Sequence, residues 1–171
     1  VNKKQKKEQQ QKDWGLSVDG GIPMVLIDET VDPAIQKILK EIIDGIATIG
    51  IQLVFVEPKD SDARDSLRAF EERYPHSVKV LNRKEIDPDA FDIALLDEMD
   101  SKKLEELKEY RLVPLAGKGV VAFDPIEEKG NGFVYEPKNS WSLFAAFVRA
   151  AETYRFPYDW QNIVKSVIKS A

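Results

Sequence analysis

Residues 23–35 read Pro23-Met24-Val25-Leu26-Ile27-Asp28-Glu29-Thr30-Val31-Asp32-Pro33-Ala34-Ile35, and this stretch decides the fold. Met24 to Ile27 is a four-residue apolar run, short enough for a strand buried on both faces. Asp32 offers a side-chain oxygen to the free amides of a helix start. Pro33 suits the first helical position, where an N–H would have no partner. Ile35, Ile38, Leu39, Ile42, Ile43 and Ile46 then recur at three- and four-residue spacing until Gly50 ends the pattern. A strand leading directly into an amphipathic helix is the opening of a parallel α/β sheet.

The same alternation runs to the end of the chain. Ile51 to Val56, bounded by Gly50 and Pro58, is a second strand, followed by a helix from about Asp62 to Tyr74. Val78-Lys79-Val80-Leu81 is a third strand and Asp92 to Leu96 a fourth; only Asn82 to Phe91 lie between them, short for a crossover helix. Ser101 to Arg111 is helical, Val113 to Ala116 a fifth strand with Pro114 near its start, and Phe133 to Tyr135 a sixth. The loop between them holds Gly117, Gly119, Gly130 and Gly132, with one more extended piece at Val120 to Phe123. Ser140 caps a helix carrying Leu143, Phe144, Phe147, Val148, Ala151 and Tyr154; Pro157 breaks it, and a last helix runs from about Asp159 to Lys169. Right-handed crossovers turn this series into an α/β, doubly wound, mostly parallel Rossmann-like sheet of six strands in the order 3-2-1-4-5-6. Ligands of such sheets bind at the carboxyl ends of the strands, and Asp28-Glu29 and Asp97-Glu98 flank the point where the order reverses.

Composition narrows the chemistry. A chain of 171 residues that is 43% hydrophobic and 32% charged is built to bury a core. It has no cysteine and a single histidine, His76 in a turn, which excludes disulfide frameworks, thiolate nucleophiles and imidazole-built metal sites. Residues 1–15 form a basic Lys/Gln-rich segment, expected as a solvated helix or tail; residues 16–171 are expected as one domain. Residues 1–12 carry five lysines against one glutamate, so with −5 overall the rest of the chain sits near −9, which disfavours nucleic acid as a partner. No run approaches the ~20 apolar residues of a membrane span, and no signal peptide is evident, so a cytoplasmic protein is expected.

Several stretches together resemble the C-terminal domain of bacterial glycogen and starch synthases, retaining glycosyltransferases of the two-domain GT-B fold. Lys6 to Leu16 (KKEQQQKDWGL) is similar to the helix that leads into that domain, and Gly50 to Val56 (GIQLVFV) to its second strand. Glu72-Arg73-Tyr74-Pro75 before a strand fits as well. Asp124-Pro125, Gly130-Asn131-Gly132-Phe133-Val134-Tyr135-Glu136 and Trp141 to Tyr154 (WSLFAAFVRAAETY) carry the strongest likeness.

The resemblance implies a donor site for ADP-glucose or UDP-glucose, with an Arg and a Lys after the first strand to neutralise the diphosphate. Here that segment holds Asp28, Glu29 and Asp32. Like charges ~4 Å apart repel by about 4 kcal/mol at an effective dielectric of 20, so tight nucleotide-sugar binding without a metal is not expected, and no cofactor is expected unless the family's donor site survives. The resemblance also places the family's glutamate pair at Glu98 and Glu106, with Tyr110 and Pro114 in matching positions. Met99-Asp100-Ser101 replaces the family's Pro and Gly there, and Arg111 replaces a Gly. Ordinary helix-terminus carboxylates are the alternative. Gly117 and Gly119 partly match the glycines near the donor phosphates, or they simply permit a turn.

The leading expectation is a domain degenerate at its donor site, without independent transferase activity, serving as a binding or interaction module. Its partners would be a missing N-terminal GT-B domain, a second copy, or a glucan. One alternative is half of a two-part glucosyltransferase. Another is a receiver-like phosphorylation switch in which Asp28, Glu29 and Asp97 hold Mg²⁺. The aromatic pairs Phe144 with Phe147 and Tyr158 with Trp160 are expected to pack against the sheet.

Overall fold

In the computed structural model, which describes residues 2–171, the strand that opens the fold is β1 (Met24–Ile27), and the helix capped by Asp32 is α2 (Pro33–Thr48). The helix before them is α1 (Lys3–Asp13). The chain continues through β2 (Gln52–Val56), α3 (Ser61–Arg73), β3 (Val78–Leu81), β4 (Ile93–Glu98), α4 (Ser101–Tyr110), β5 (Val113–Lys118), β6 (Phe133–Val134), α5 (Ser140–Tyr154) and α6 (Pro157–Lys169). All five pairings are parallel, in the order β3-β2-β1-β4-β5-β6. β1 sits at the centre, with Ile27 beside Phe55 on one flank and Leu95 on the other.

The pleat divides the apolar residues between two layers. Val25, Ile27, Leu53, Phe55, Ile93 and Leu95 face α2, α3 and α5, whose Leu39, Ile43, Leu67, Leu143 and Phe147 complete one core. Met24, Val54 and Ala94 face the other way, onto Leu104 and Leu107 of α4 and Val167 of α6. Fully burying an Ile or Leu contributes about 1.5–3 kcal/mol, so the isoleucine stripe of α2 is a principal anchor of the first layer.

Three expectations need correction. First, α5 is capped not by Ser140 but by Asn139, whose side chain accepts from Ser142 N–H; the β3–β4 connection is, as expected, too short for a crossover helix and forms two single-turn 3₁₀ segments, Arg83–Glu85 and Pro88–Ala90. Second, α6 begins at Pro157, whose ring favours the first helical position; Trp160 is half-buried, but Tyr158 is turned to solvent, 64% exposed.

The third correction concerns the basic N-terminal segment, which is docked rather than solvated. Lys7 is 1% exposed, and its ammonium donates to Asp92 Oδ2 at 2.8 Å, to the Tyr154 hydroxyl at 2.5 Å and to the Ile22 carbonyl at 3.0 Å. Gln11, also buried, donates to Gln52 Oε1 at 2.8 Å and to the Asp19 carbonyl at 2.9 Å. Met24 N–H completes the Asp92 carboxylate at 2.9 Å, which ties α1 to the start of β1. A buried ammonium is tolerated here because each of its protons meets an acceptor.

Candidate functional site at the carboxyl ends of the strands

The loop after β1 turns sharply into α2, and its geometry is set by its own carboxylates. Asp28 accepts from Glu29 N–H at 2.8 Å and from the Thr30 hydroxyl at 2.9 Å. Asp32 caps α2 by accepting from Ala34 N–H at 2.8 Å. Asp97, at the end of β4, accepts from Asp32 N–H through both oxygens, at 3.0 and 3.1 Å. A helix N-terminus attracts anions through its free amides and dipole. At α2 the anions in place are the protein's own.

The mouth is not purely acidic. Arg83, from the 3₁₀ segment after β3, touches the Asp28 carboxylate and lies 3.5 Å from Glu29 Oε1. Burial works against the Arg83 charge, but the Asp28 and Glu29 carboxylates outweigh it and raise its pKa above the usual value. The sequence reading missed this residue. Its signal was position: a side chain immediately after the carboxyl end of a neighbouring strand faces the same mouth. Nearby, Tyr135 donates to the Leu96 carbonyl at 2.7 Å; burial raises its pKa, and the charges of Asp97 and Asp32 add to the shift.

Below Arg83, a cavity of about 90 Å³ opens between the β3–β4 connection and α4, where a crossover helix would otherwise lie. Leu26, Val56, Leu96, Leu107 and Leu112 line it, and Asp28, Arg83, Lys103 and Glu106 supply its polar groups. Of the candidate glutamate pair, only Glu106 reaches this wall. Glu98 is solvent-exposed at the strand end, in register with Lys118 of β5. A wider groove of about 660 Å³ runs beside Glu29 between α2 and the start of α3.

Gly117 and Gly119 have packing reasons. Gly119 adopts φ +81°, and a Cβ there would sit 2.4 Å from the Met99 carbonyl oxygen; one at Gly117 would meet Pro137 at 2.9 Å and the Asp97 carbonyl at 3.0 Å. They let β5 pass close to the β4–α4 loop. Asp28, Glu29 and Asp97 are not gathered as metal ligands: Asp28 and Glu29 face Arg83 while Asp97 binds a backbone amide, and among the described residues no group of three His, Asp or Glu side chains is placed to hold a metal ion. A receiver-like switch is likewise unsupported, since that fold orders its strands 2-1-3-4-5. His76 is exposed, with Nδ1 3.2 Å from the Gly15 carbonyl.

No protein-family model matches the chain. It is 24% identical over 181 residues to a glycogen synthase of Fervidobacterium nodosum, a match covering 97% of this chain and 37% of the relative. A glycogen synthase of Gloeobacter violaceus is 25% identical over 90% of the chain and 37% of its own length, and one of Oceanobacillus iheyensis 23% over 91% and 36%. The chain thus spans little more than a third of the curated relatives it matches, and it resembles their C-terminal portion. Among solved structures, the catalytic domain of starch synthase IV from Arabidopsis thaliana, bound to ADP and acarbose, superposes with a TM-score of 0.79 at 18% identity, covering 99% of this chain and 39% of that one. The fold is that of a GT-B starch synthase domain. Among the described residues no helix is long and apolar enough to cross a membrane.

Proposed function

We propose that this chain is a glycogen synthase-like domain that has given up the donor-phosphate position to its own carboxylates and acts as a binding or interaction module, without transferase activity of its own. One observation carries this reading: Asp97 occupies the amide of Asp32, the residue that caps α2, and Asp32 occupies that of Ala34 in the first turn, where an incoming diphosphate would need free N–H groups and cations. Asp28 and Glu29 add negative charge beside them, and Arg83 is committed to both. A dianionic leaving group would have to displace these contacts and meet four carboxylates.

The partner is a surface that covers the carboxyl ends of the strands, either a domain equivalent to the remaining two thirds of the relatives or a second copy. Calorimetric titration with ADP-glucose, UDP-glucose, ADP and UDP tests the reading. No saturable heat at micromolar ligand is expected, and micromolar binding of any of the four overturns it.

A second reading is half of a two-chain glucosyltransferase. It is favoured by the cavity under Arg83, which brings Lys103 and Glu106 to the same mouth. If a partner chain restores ADP or ADP-glucose binding that neither chain shows alone, this reading replaces the first.

A further inference from the structure

At the opposite, amino end of the sheet, a cleft of about 250 Å³ opens between α1, the end of α4, and the α5–α6 junction. Lys3, Lys4, Lys7 and Arg111 line it, with Tyr154 and Trp160 as an aromatic wall. Asp92 is the one carboxylate in the lining, and Lys7, Met24 N–H and Tyr154 already engage it. Asp89 lies nearby but is paired with Lys6 at 2.6 Å; Glu8 and Asp19 approach from the rim without forming its walls. Four cations therefore face one spent anion, in a chain of net charge −5.

The state of Lys3 sharpens the imbalance. Its three N–H bonds all go to neutral acceptors, the carbonyls of Asp89 at 3.1 Å, Phe91 at 2.5 Å and Tyr110 at 2.7 Å. Its hydrogen bonds are satisfied by neutral groups, and the carboxylates of Asp92 and Asp89 act on its charge without bonding to it. Burial lowers its pKa against the pull of Asp92 and Asp89, and the neighbouring Lys7 and Arg111 push it further down. Lys4 and Arg111 are exposed and make no ion pair within 4.0 Å among the described residues, although the Glu8 carboxylate lies beside the Lys4 side chain at Gly20, so both can close on a ligand.

We propose that this cleft is a binding site for a phosphate group, held by Lys4 and Arg111 in the field of Lys3 and Lys7, with Trp160 and Tyr154 beside it. An oxyanion supplies the counter-charge that the fold omits, and charge-assisted hydrogen bonds from Arg and Lys are the strong kind. The site is remote from the carboxyl-end mouth and independent of whether that mouth binds nucleotides.

The test is titration of the full chain with inorganic phosphate and, separately, phenyl phosphate, following the indole N–H resonance of Trp160. Both are expected to shift it saturably. Equal affinity, or weaker binding of phenyl phosphate, identifies a site for the free ion; tighter binding of phenyl phosphate identifies one for an organic phosphomonoester whose ring lies against the aromatic wall. The double variant Lys4→Gln/Arg111→Asn removes two exposed charges, and Asn tolerates the left-handed backbone of Arg111 (φ 53°). It is expected to weaken binding by at least roughly tenfold. Lys37→Gln/Lys59→Gln, which neutralises lysines of the groove beside α2, is expected to leave the affinity unchanged. The proposal is overturned if neither ligand saturates in the millimolar range, if the first variant binds as well as the parent, or if only the second loses binding.

Discussion

The two ends of the sheet handle charge in opposite ways. At the amino end, Lys7 and Asp92 are buried together, 1% and 4% exposed at their side chains, and a backbone amide, a tyrosine and a carbonyl complete their hydrogen bonds. At the carboxyl end, Arg83 meets Asp28 with side chains 59% and 34% exposed, among further carboxylates that water can screen. The first arrangement is costly to break because each partner would be left charged in a dry place. The second is cheap to break. Rigidity therefore resides at the end where the resemblance to glycogen synthases implies no chemistry, while the end where it implies chemistry is held by surface electrostatics.

Substitutions can break this contrast, and the largest effect belongs to the buried pair. Asp92→Ala strands the Lys7 ammonium and the Met24 amide and is expected to cost about 3–5 kcal/mol in urea unfolding; a loss near 1 kcal/mol would mean that α1 is not firmly docked. Tyr154→Phe removes a hydroxyl bonded to both members of the pair and should cost about 1.5–3 kcal/mol. It also has a pH signature. Burial raises the Tyr154 pKa above its ordinary value of 10.0, and the charge and hydrogen bond of Asp92 raise it further. A pKa raised in the fold contributes stability that is complete below pH 10.0 and is lost as pH climbs toward the folded value. The Phe variant should therefore show a shallower alkaline decline than the parent.

At the other end the effects are smaller. Gly119→Ala forces a Cβ toward the Met99 carbonyl at a positive φ and is expected to cost about 1–3 kcal/mol. A thermal melt reads this, and an unchanged midpoint would show that the β4–α4 loop yields to the added methyl and that packing does not require glycine there. Arg83→Gln should change stability by less than about 1 kcal/mol, because an exposed pair is screened. A larger loss would show that the mouth is as rigid as the opposite end.

The sheet was legible because its signals are local. Asp32-Pro33 and the isoleucine spacing define α2, and short apolar runs bounded by glycine and proline define the strands; the strand order then follows from handedness. The docking of α1 was not legible. Lys7 and Gln11 are buried, and Lys3 half-buried, by polar contacts to residues as far away as Tyr154, and a helix without an apolar stripe gives no sign of its buried face. Part of the carboxyl-end site was legible as well: Asp28, Glu29, Asp32 and Asp97 stand at the strand ends where the sequence places them. What could not be read was their pairing. Arg83 lies 55 residues from Asp28 and reaches it only because the β3–β4 connection is too short for a helix. Glu98 and Glu106 have the right spacing, yet one points to solvent while the other lines a cavity, which spacing alone does not decide.

The most direct test follows the amide resonances of Asp32 and Ala34 while the isotopically labelled chain is titrated with ADP. With Asp97 and Asp32 already on these two N–H groups, both resonances should stay in place through the micromolar range. A saturable shift of the pair at micromolar ADP would show that a diphosphate displaces the carboxylates, and the donor-phosphate position would then be open.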